Sequence, residues 1–216
     1  MPAKLWADFE RLTATDLNTY VAQQVVAVFA SAAARDLAIP APVAGQVAFL
    51  TDTQALTVYS GSAWMELVRR QLTAQIRASA AQTITTGTLT KLTLPTVDYD
   101  VGGFALGSDR LTIPAGGAGL YLIHARVGWG GNASGFRRLG IYDDVSGNPI
   151  AILESAAGTA NGGGVPVLSA VERLAAGLAV SAKVYQDVGA SLGTRAPGGG
   201  SDSYLQLTRI GPTPGL

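Results

Sequence analysis

Cysteine is absent from this chain, and histidine occurs once, as His124. Without thiols there is no disulfide framework and no thiolate metal site. Charge is scarce as well. Charged residues make up 14% of the 216 positions, where soluble domains carry about 25%. A surface so poor in charge exposes apolar patches, and such patches mark interfaces. The 15 basic and 15 acidic side chains cancel. A cut after Arg77 leaves six of each sign before it and nine of each after it. Neither half is a basic arm, which argues against nucleic-acid binding driven by phosphate neutralisation. No apolar run reaches the roughly 18 residues a membrane helix needs. The opening "MPAKLWADFERLTATD" is too polar for a signal peptide. The expectation is a soluble protein made in a cytoplasm.

Three regions differ in pattern. From residue 13 to 37, Leu17, Val21, Val25, Val28 and Ala32 recur at helical spacing. Thr13 and Thr15 are candidate N-caps, with Asp16 placed to favour the positive helix end. Pro40 and Pro42 end the helix. Its apolar stripe serves either its own domain or a contact with other copies. From Gly45 to Leu67, short alternating runs separated by "TDTQ" and "SGS" predict a β-meander of three strands. Three strands are barely enough for independent stability. From about Ile76 onward the chain is rich in glycine and β-branched residues. Eight or so strand-like runs, among them "LYLIHARVGW", "RRLGIYDD", "LAVSAKVYQDV" and "SYLQLTRI", predict an all-β sandwich or jelly roll. Two glycine-rich tracts, Gly158 to Gly164 and Ala196 to Ser203, read as surface loops suited to recognition.

Catalytic chemistry finds little support. In a strand, Tyr121, Ile123, Ala125, Val127 and Trp129 share one wholly apolar face, the natural core side. Leu120, Leu122, His124 and Arg126 share the other. His124 reads as a structural histidine bonded to a neighbour, on a half-covered face suited to a subunit contact. Three copies meeting there would bring imidazoles together, which could hold a metal or sense pH. "GASLG", Gly189 to Gly193, matches the G-x-S-x-G nucleophile elbow, but no histidine follows it and no helix-forming stretch comes next. Asp143 and Asp144 are adjacent and suit a turn. Asp98 and Asp100 share a face at period two, and with loop carbonyls could collect Ca2+; no other cofactor is expected. Trp64, Trp129, Tyr59, Tyr142, Tyr185 and Tyr204 could line a sugar-binding groove, though their strand positions favour packing. Tyr204 and Asp202, beside a glycine-rich loop, are the candidate ligand contacts.

Two resemblances add to these readings. The runs "TIPAGGAGLYLIHARVGWGGNASGFRRLGIYDD", "VERLAAGLAVSAKVYQDVGASL" and "SYLQLTRIG" resemble the globular head of complement proteins and its tumour-necrosis-factor-like relatives. Ile113, Pro114, Gly119, Tyr121, Trp129, Arg138, Leu174, Gly177, Gln186, Gly189 and Leu205 carry the pattern. Leu178 departs from it, standing where the family usually has aspartate. The resemblance implies a ten-strand jelly roll that forms compact homotrimers and acts by binding; some members bind Ca2+. The stretch "GQVAFLTDTQALTVYSGSAW", from Gly45 to Trp64, with the helical segment before it, resembles the N-terminal part of bacteriophage fibre and minor structural proteins.

Together these give a mainly β expectation. Residues 1–75 form an N-terminal α-helix and a three-stranded β-meander that anchors to other virion proteins of the capsid or tail. Residues 76–216 form a homotrimeric jelly-roll head, with Leu122, His124 and Arg126 at the trimer interface. The protein is expected in the virion, assembled in the host cytoplasm, as a non-enzymatic fibre, spike or decoration protein that contacts a host-surface glycan or protein. A cement protein without a receptor and a carbohydrate-active tail enzyme are the alternatives. No nucleic-acid or membrane partner is expected.

Overall fold

A computed structural model of the chain describes residues 7–11, 13–17, 25–69, 71–107, 109–156, 164–198 and 202–211. The chain divides into two compact units, Met1–Arg70 and Gln71–Leu216. Of the loop readings, residues 157–163 and 199–201 lie outside the described residues, as do 18–24 of the expected first helix. No described helix is long and apolar enough to cross a membrane.

The first unit corrects the single-helix reading of residues 13 to 37. Helix α1 (Ala14–Asp16) is one turn, closed by a capping box between Thr13 and Asp16. Strand β1 (Ala27–Phe29) then occupies positions whose spacing suggested a helix. The run Val25 to Phe29 is a short apolar segment that periodicity alone cannot assign, and pairing with a neighbouring strand decides it. Helix α2 (Ala32–Ala38) starts at the Ser31 N-cap and stops before Pro40. Strands β2 (Val47–Leu50), β3 (Ala55–Tyr59) and β4 (Trp64–Arg69) form the predicted meander. The sheet has four strands, however, in the order β1-β2-β3-β4, with β1 parallel to β2 and α2 in the connection between them.

The Gly45–Trp64 motif has a physical reading here. Gly61 at φ +106° makes the turn between β3 and β4, which the Ser60 hydroxyl ties to Ala63. Trp64 packs on Tyr59 with ring centroids 5.5 Å apart. Arg35 of α2 lies over Trp64 at 4.3 Å, only 6% exposed. It pairs with Asp36 and donates to Thr57, whose hydroxyl donates to the Ala48 carbonyl. Helix α2 therefore serves the face carrying Ala48, Ala55, Thr57 and Trp64. On the other face, Val28, Phe49 and Leu56 stand in one cross-strand row and Val47, Val58 and Met65 in another.

The second unit is a two-sheet sandwich. Its strands are β5 (Thr73–Arg77), β6 (Thr83–Ile84), β7 (Thr90–Lys91), β8 (Thr96–Val101), β9 (Ala105–Gly107), β10 (Arg110–Thr112), β11 (Gly119–Arg126), β12 (Phe136–Asp143), β13 (Pro149–Ala156), β14 (Val167–Leu174), β15 (Ala179–Gln186), β16 (Leu192–Gly193) and β17 (Tyr204–Gly211). One sheet runs β13-β12-β15-β10-β9, with β7 also on β15; the other runs β14-β11-β17-β5-β8. A β6–β16 pair stands apart from both. From β10 onward the chain changes sheet at nearly every step, β10 to β11, β11 to β12, β13 to β14, β14 to β15 and β15 to β17. The β12–β13 hairpin is the one pair of these successive strands that stays in a sheet. This alternation is a jelly roll, and it makes the described architecture mainly β, as expected.

The core is what strand alternation requires. Tyr121, Ile123, Ala125, Val127 and Trp129 are all fully buried, and they share the core with Leu205 of their own sheet and Leu139, Ile141 and Val184 of the facing one. The turn at Leu178, where the sequence departs from the family pattern, forms without aspartate. Gly177 takes φ +83°, and Leu178 closes the turn to the Ala175 carbonyl while packing on the core. Gln186 is fully buried and explains the Gln-x-x-Gly spacing. Its amide donates to the Ile84 and Ala190 carbonyls and accepts from the Val188 amide, which fixes the turn at Gly189.

Candidate functional site

The outward side of the β14-β11-β17 sheet brings together four of the five residues singled out from the sequence. Strand β11 alternates without a break, so Leu120, Leu122, His124 and Arg126 point away from the core. Their partners on β14 are Arg173, Val171, Ser169 and Val167. On β17, Gln206 stands beside His124 and Tyr204 beside Arg126. His124 Nδ1 lies 3.1 Å from the Ser169 hydroxyl, the structural bond expected of it. The Arg126 guanidinium sits 5.7 Å from the Tyr204 ring centroid. Its Nε and one terminal nitrogen are out of reach of solvent and have no hydrogen-bond partner among the described residues.

Tyr204 therefore belongs to this face rather than to a separate loop site. Asp202 is the one left apart: it accepts from the Gly198 amide within its own loop.

The face is graded. Toward β14 and β11 it is apolar, with Val167 and Val171 about half exposed. Toward β5 and β8 it mixes bonded polar groups with the exposed Tyr99 and Val101. Thr73 bonds Thr208 at 2.9 Å, and Asp98 accepts from Gln75 and Arg77. The outward positions of β11, β14 and β17 include Arg126, Arg173 and His124 but no carboxylate. The adjoining edge of the sandwich, formed by β13 and β14, exposes Ile152 at 43%. It also carries Glu172, and Glu154, which is already paired with Arg138.

The Ca2+ geometry read from Asp98 and Asp100 does not form. A bulge in the β5–β8 ladder between Gln75 and Ile76 breaks the period of two. Asp98 turns to Arg77 on the outer face, whereas Asp100 pairs with buried Ala74 and accepts from the Phe104 amide. No group of three metal-ligating side chains occurs among the described residues. Ser191 precedes the two-residue strand β16 and not a helix, so the nucleophile elbow is absent there. The aromatic side chains pair off instead of lining one groove. Trp129 is fully buried, Tyr142 is 4% exposed, and Phe136 stacks on Tyr185 with centroids 5.4 Å apart.

Asp143 and Asp144 separate as adjacent residues must. Asp143 caps the turn at Val145 and Ser146, and those hydrogen bonds lower its pKa. Asp144 is nearly buried and meets Lys91 at 2.9 Å and Arg110 at 3.2 Å. Burial pushes its pKa up, but the bonds from Lys91 and Arg110 outweigh burial and hold it below the ordinary value.

Sequence reasoning missed one more buried charge. Arg137, 2% exposed, donates to the Ser134 and Asn132 carbonyls beside Trp129. Burial depresses its pKa, against the pull of Asp187. Its position was legible, since it alternates in phase with Leu139 and Ile141. Arg138, the residue matched to the family pattern, is on the outer side with Glu154 and Tyr185.

No family model matches the sequence, and no curated protein matches it. Solved structures do. The Eiger TNF of S. frugiperda aligns with a TM-score of 0.49 at 10% identity, over 68% of this chain and 99% of that one. Murine APRIL aligns in crystals at pH 8.5 and pH 5.0 with TM-scores of 0.46 and 0.45, at 11% and 10% identity. Each covers 65% of this chain and all of the other. Strand order and register by themselves define the jelly roll.

Proposed function

We propose that this chain is a bacteriophage virion surface protein that works as a homotrimer, its jelly-roll heads displayed outward and its first unit holding them to the particle. The graded face of the β14-β11-β17 sheet carries the reading. It offers exposed valines and half-buried leucines next to uncompensated Arg126 and Arg173, and the β13–β14 edge exposes Ile152 and Glu172. Edge packed on face is a heterologous contact, and such contacts close into a ring when the rotation allows. Three copies bury both surfaces, with Glu172 of one set against the guanidinia of the next. The virion role rests on the Gly45–Trp64 motif.

The head acts by binding. Three identical heads on one particle multiply weak contacts with host-surface groups through effective concentration. Asp202, with Tyr204 two residues on, is the contact proposed for the host.

Light scattering of the purified chain, antibody labelling of particles and a pull-down on host cells test the three parts. A trimer, labelled virions and cell binding are expected. Unlabelled virions would remove the virion role, and a labelled trimer that ignores cells would make it a cement protein. Cleavage of host polysaccharide would replace binding with catalysis.

A further inference from the structure

Two turns of the sandwich enclose a cavity of about 340 Å³. One wall is the turn from β12 to β13, and the other is the end of β14 with the turn to β15. The Asp144 amide donates to the Ala179 carbonyl and ties the two turns together. The apolar lining is Pro149, Ile150, Leu174 and Leu178, the last three continuous with the core. The polar lining is Asp143, Ser146, Asn148, Glu172 and Arg173. We propose that this cavity binds one ring of a neutral sugar.

The turn wall is built before a ligand arrives. Asp143 accepts from the Val145 amide and the Ser146 hydroxyl, and Ser146 accepts from the Asn148 backbone amide. Asp143 also donates its backbone N–H to the Asn148 carbonyl. What remains free is mixed in character. The Asn148 side-chain amide, the Glu172 carboxylate and the Arg173 guanidinium have no hydrogen bond or ion pair among the described residues. Asp143 has used two of its roughly four acceptor positions. The bonds from Ser146 and Val145 lower its pKa, so at neutral pH it only accepts. This mixture chooses the ligand. A simple cation would meet Arg173, and a simple anion would meet two carboxylates. A zwitterion would leave one of those carboxylates unpaired. An apolar ligand would strip water from polar side chains without replacing its bonds. Sugar hydroxyls donate to carboxylates and accept from an amide or a guanidinium, while the C–H face of the ring covers the apolar lining. The volume lies at the lower end of the roughly 300–1,000 Å³ of ligand pockets, which suits one ring and not an extended oligosaccharide. The site is made by one chain and needs neither the trimer nor the virion role.

Saturation-transfer NMR of the purified full chain tests this, because it reads binding from the ligand's own protons. The probes are glucose, galactose, rhamnose and N-acetylglucosamine at millimolar concentration, with acetate, ethylammonium and glycine as ionic controls. Transfer to at least one sugar is expected, and none to the ions. Asn148→Ala should weaken that sugar's binding about three- to tenfold. Asn148→Trp, whose ring occupies the cavity, should abolish transfer. Asp202→Asn, at the contact proposed above for the host, should leave it unchanged. Glu172 and Arg173 also serve the contact proposed between copies, so the measurement is repeated on Leu122→Glu, a chain expected to stay single. Transfer in Leu122→Glu alone supports the pocket and shows that packed copies cover it. No transfer to any sugar in either protein overturns the inference. So does transfer that survives Asn148→Trp, transfer lost in Asp202→Asn, or stronger transfer to an ion than to any sugar. The trimer is read separately, by light scattering.

Discussion

Replacing Asp144 with asparagine removes the one carboxylate shared by Lys91 and Arg110 at the meeting of β7, β10 and β12. Asp144 has 10% of its side chain exposed, while Lys91 has 29% and Arg110 40%. A fully buried pair broken on one side costs about 3–5 kcal/mol, and an exposed pair about 0–1. The two cations here reach water and can be rehydrated, so the expected loss is about 1–3 kcal/mol. For a chain of this size that is roughly 2–12 °C in the unfolding midpoint. The pH dependence gives a second reading. The Asp144 pKa is lowered in the folded state, so its contribution is present above the unfolded value of about 3.9. It disappears as pH falls through the lower, folded value. Thermal unfolding of both proteins from pH 7 to pH 2.5, at one protein concentration, should show a gap that is constant to about pH 5 and then closes. A gap within 1 °C at pH 7, or one that widens in acid, would refute the reasoning.

Gln186→Leu keeps the volume but leaves the carbonyls of Ile84 and Ala190 and the Val188 amide without their buried partner. A loss of about 2–4 kcal/mol in urea unfolding is expected, and a loss under 1 would mean the turn at Gly189 holds itself. Arg35→Lys retains charge but not the planar group that covers Trp64 and reaches Thr57. Trypsin should then cut the first unit severalfold faster while the head stays intact, and unchanged digestion would deny Arg35 its role.

Strand alternation was the most legible feature of the chain. The inward set from Tyr121 to Trp129 and the outward set from Leu120 to Arg126 follow from period two alone, because one side of β11 carries no polar atom except the Tyr121 hydroxyl and Trp129 indole nitrogen. The turn residues Gly177 and Gly61 were readable for a similar reason, since few residues adopt their backbone angles. Strands β5 and β8 were harder to see. "TAQIR" has only two apolar positions, and "TVDYDV" has acids that resemble turn residues. Their strand state comes from the ladder with β17 that runs through β5, a contact distant in sequence. The same distance hid the Lys91–Asp144 pair. Residues 25 to 29 mark the opposite failure. They fit a helical spacing well, but β2 supplies a parallel partner that no local pattern announces. Of the candidate site, the face was legible and the unpartnered nitrogens of Arg126 were not, because those depend on which strands become neighbours.

The account depends on the β14-β11-β17 face being buried between copies, and Leu122→Glu measured by light scattering tests this most directly. Leu122 lies between Val171 and Thr208 on that face, so three copies would bury three added carboxylates. Unpaired charge inside a contact costs several kcal/mol per ion. The natural chain is predicted to run at three times its monomer mass of 22.1 kDa, and the variant to run as a folded monomer at the same micromolar concentration. A trimer that survives Leu122→Glu unchanged would contradict the account.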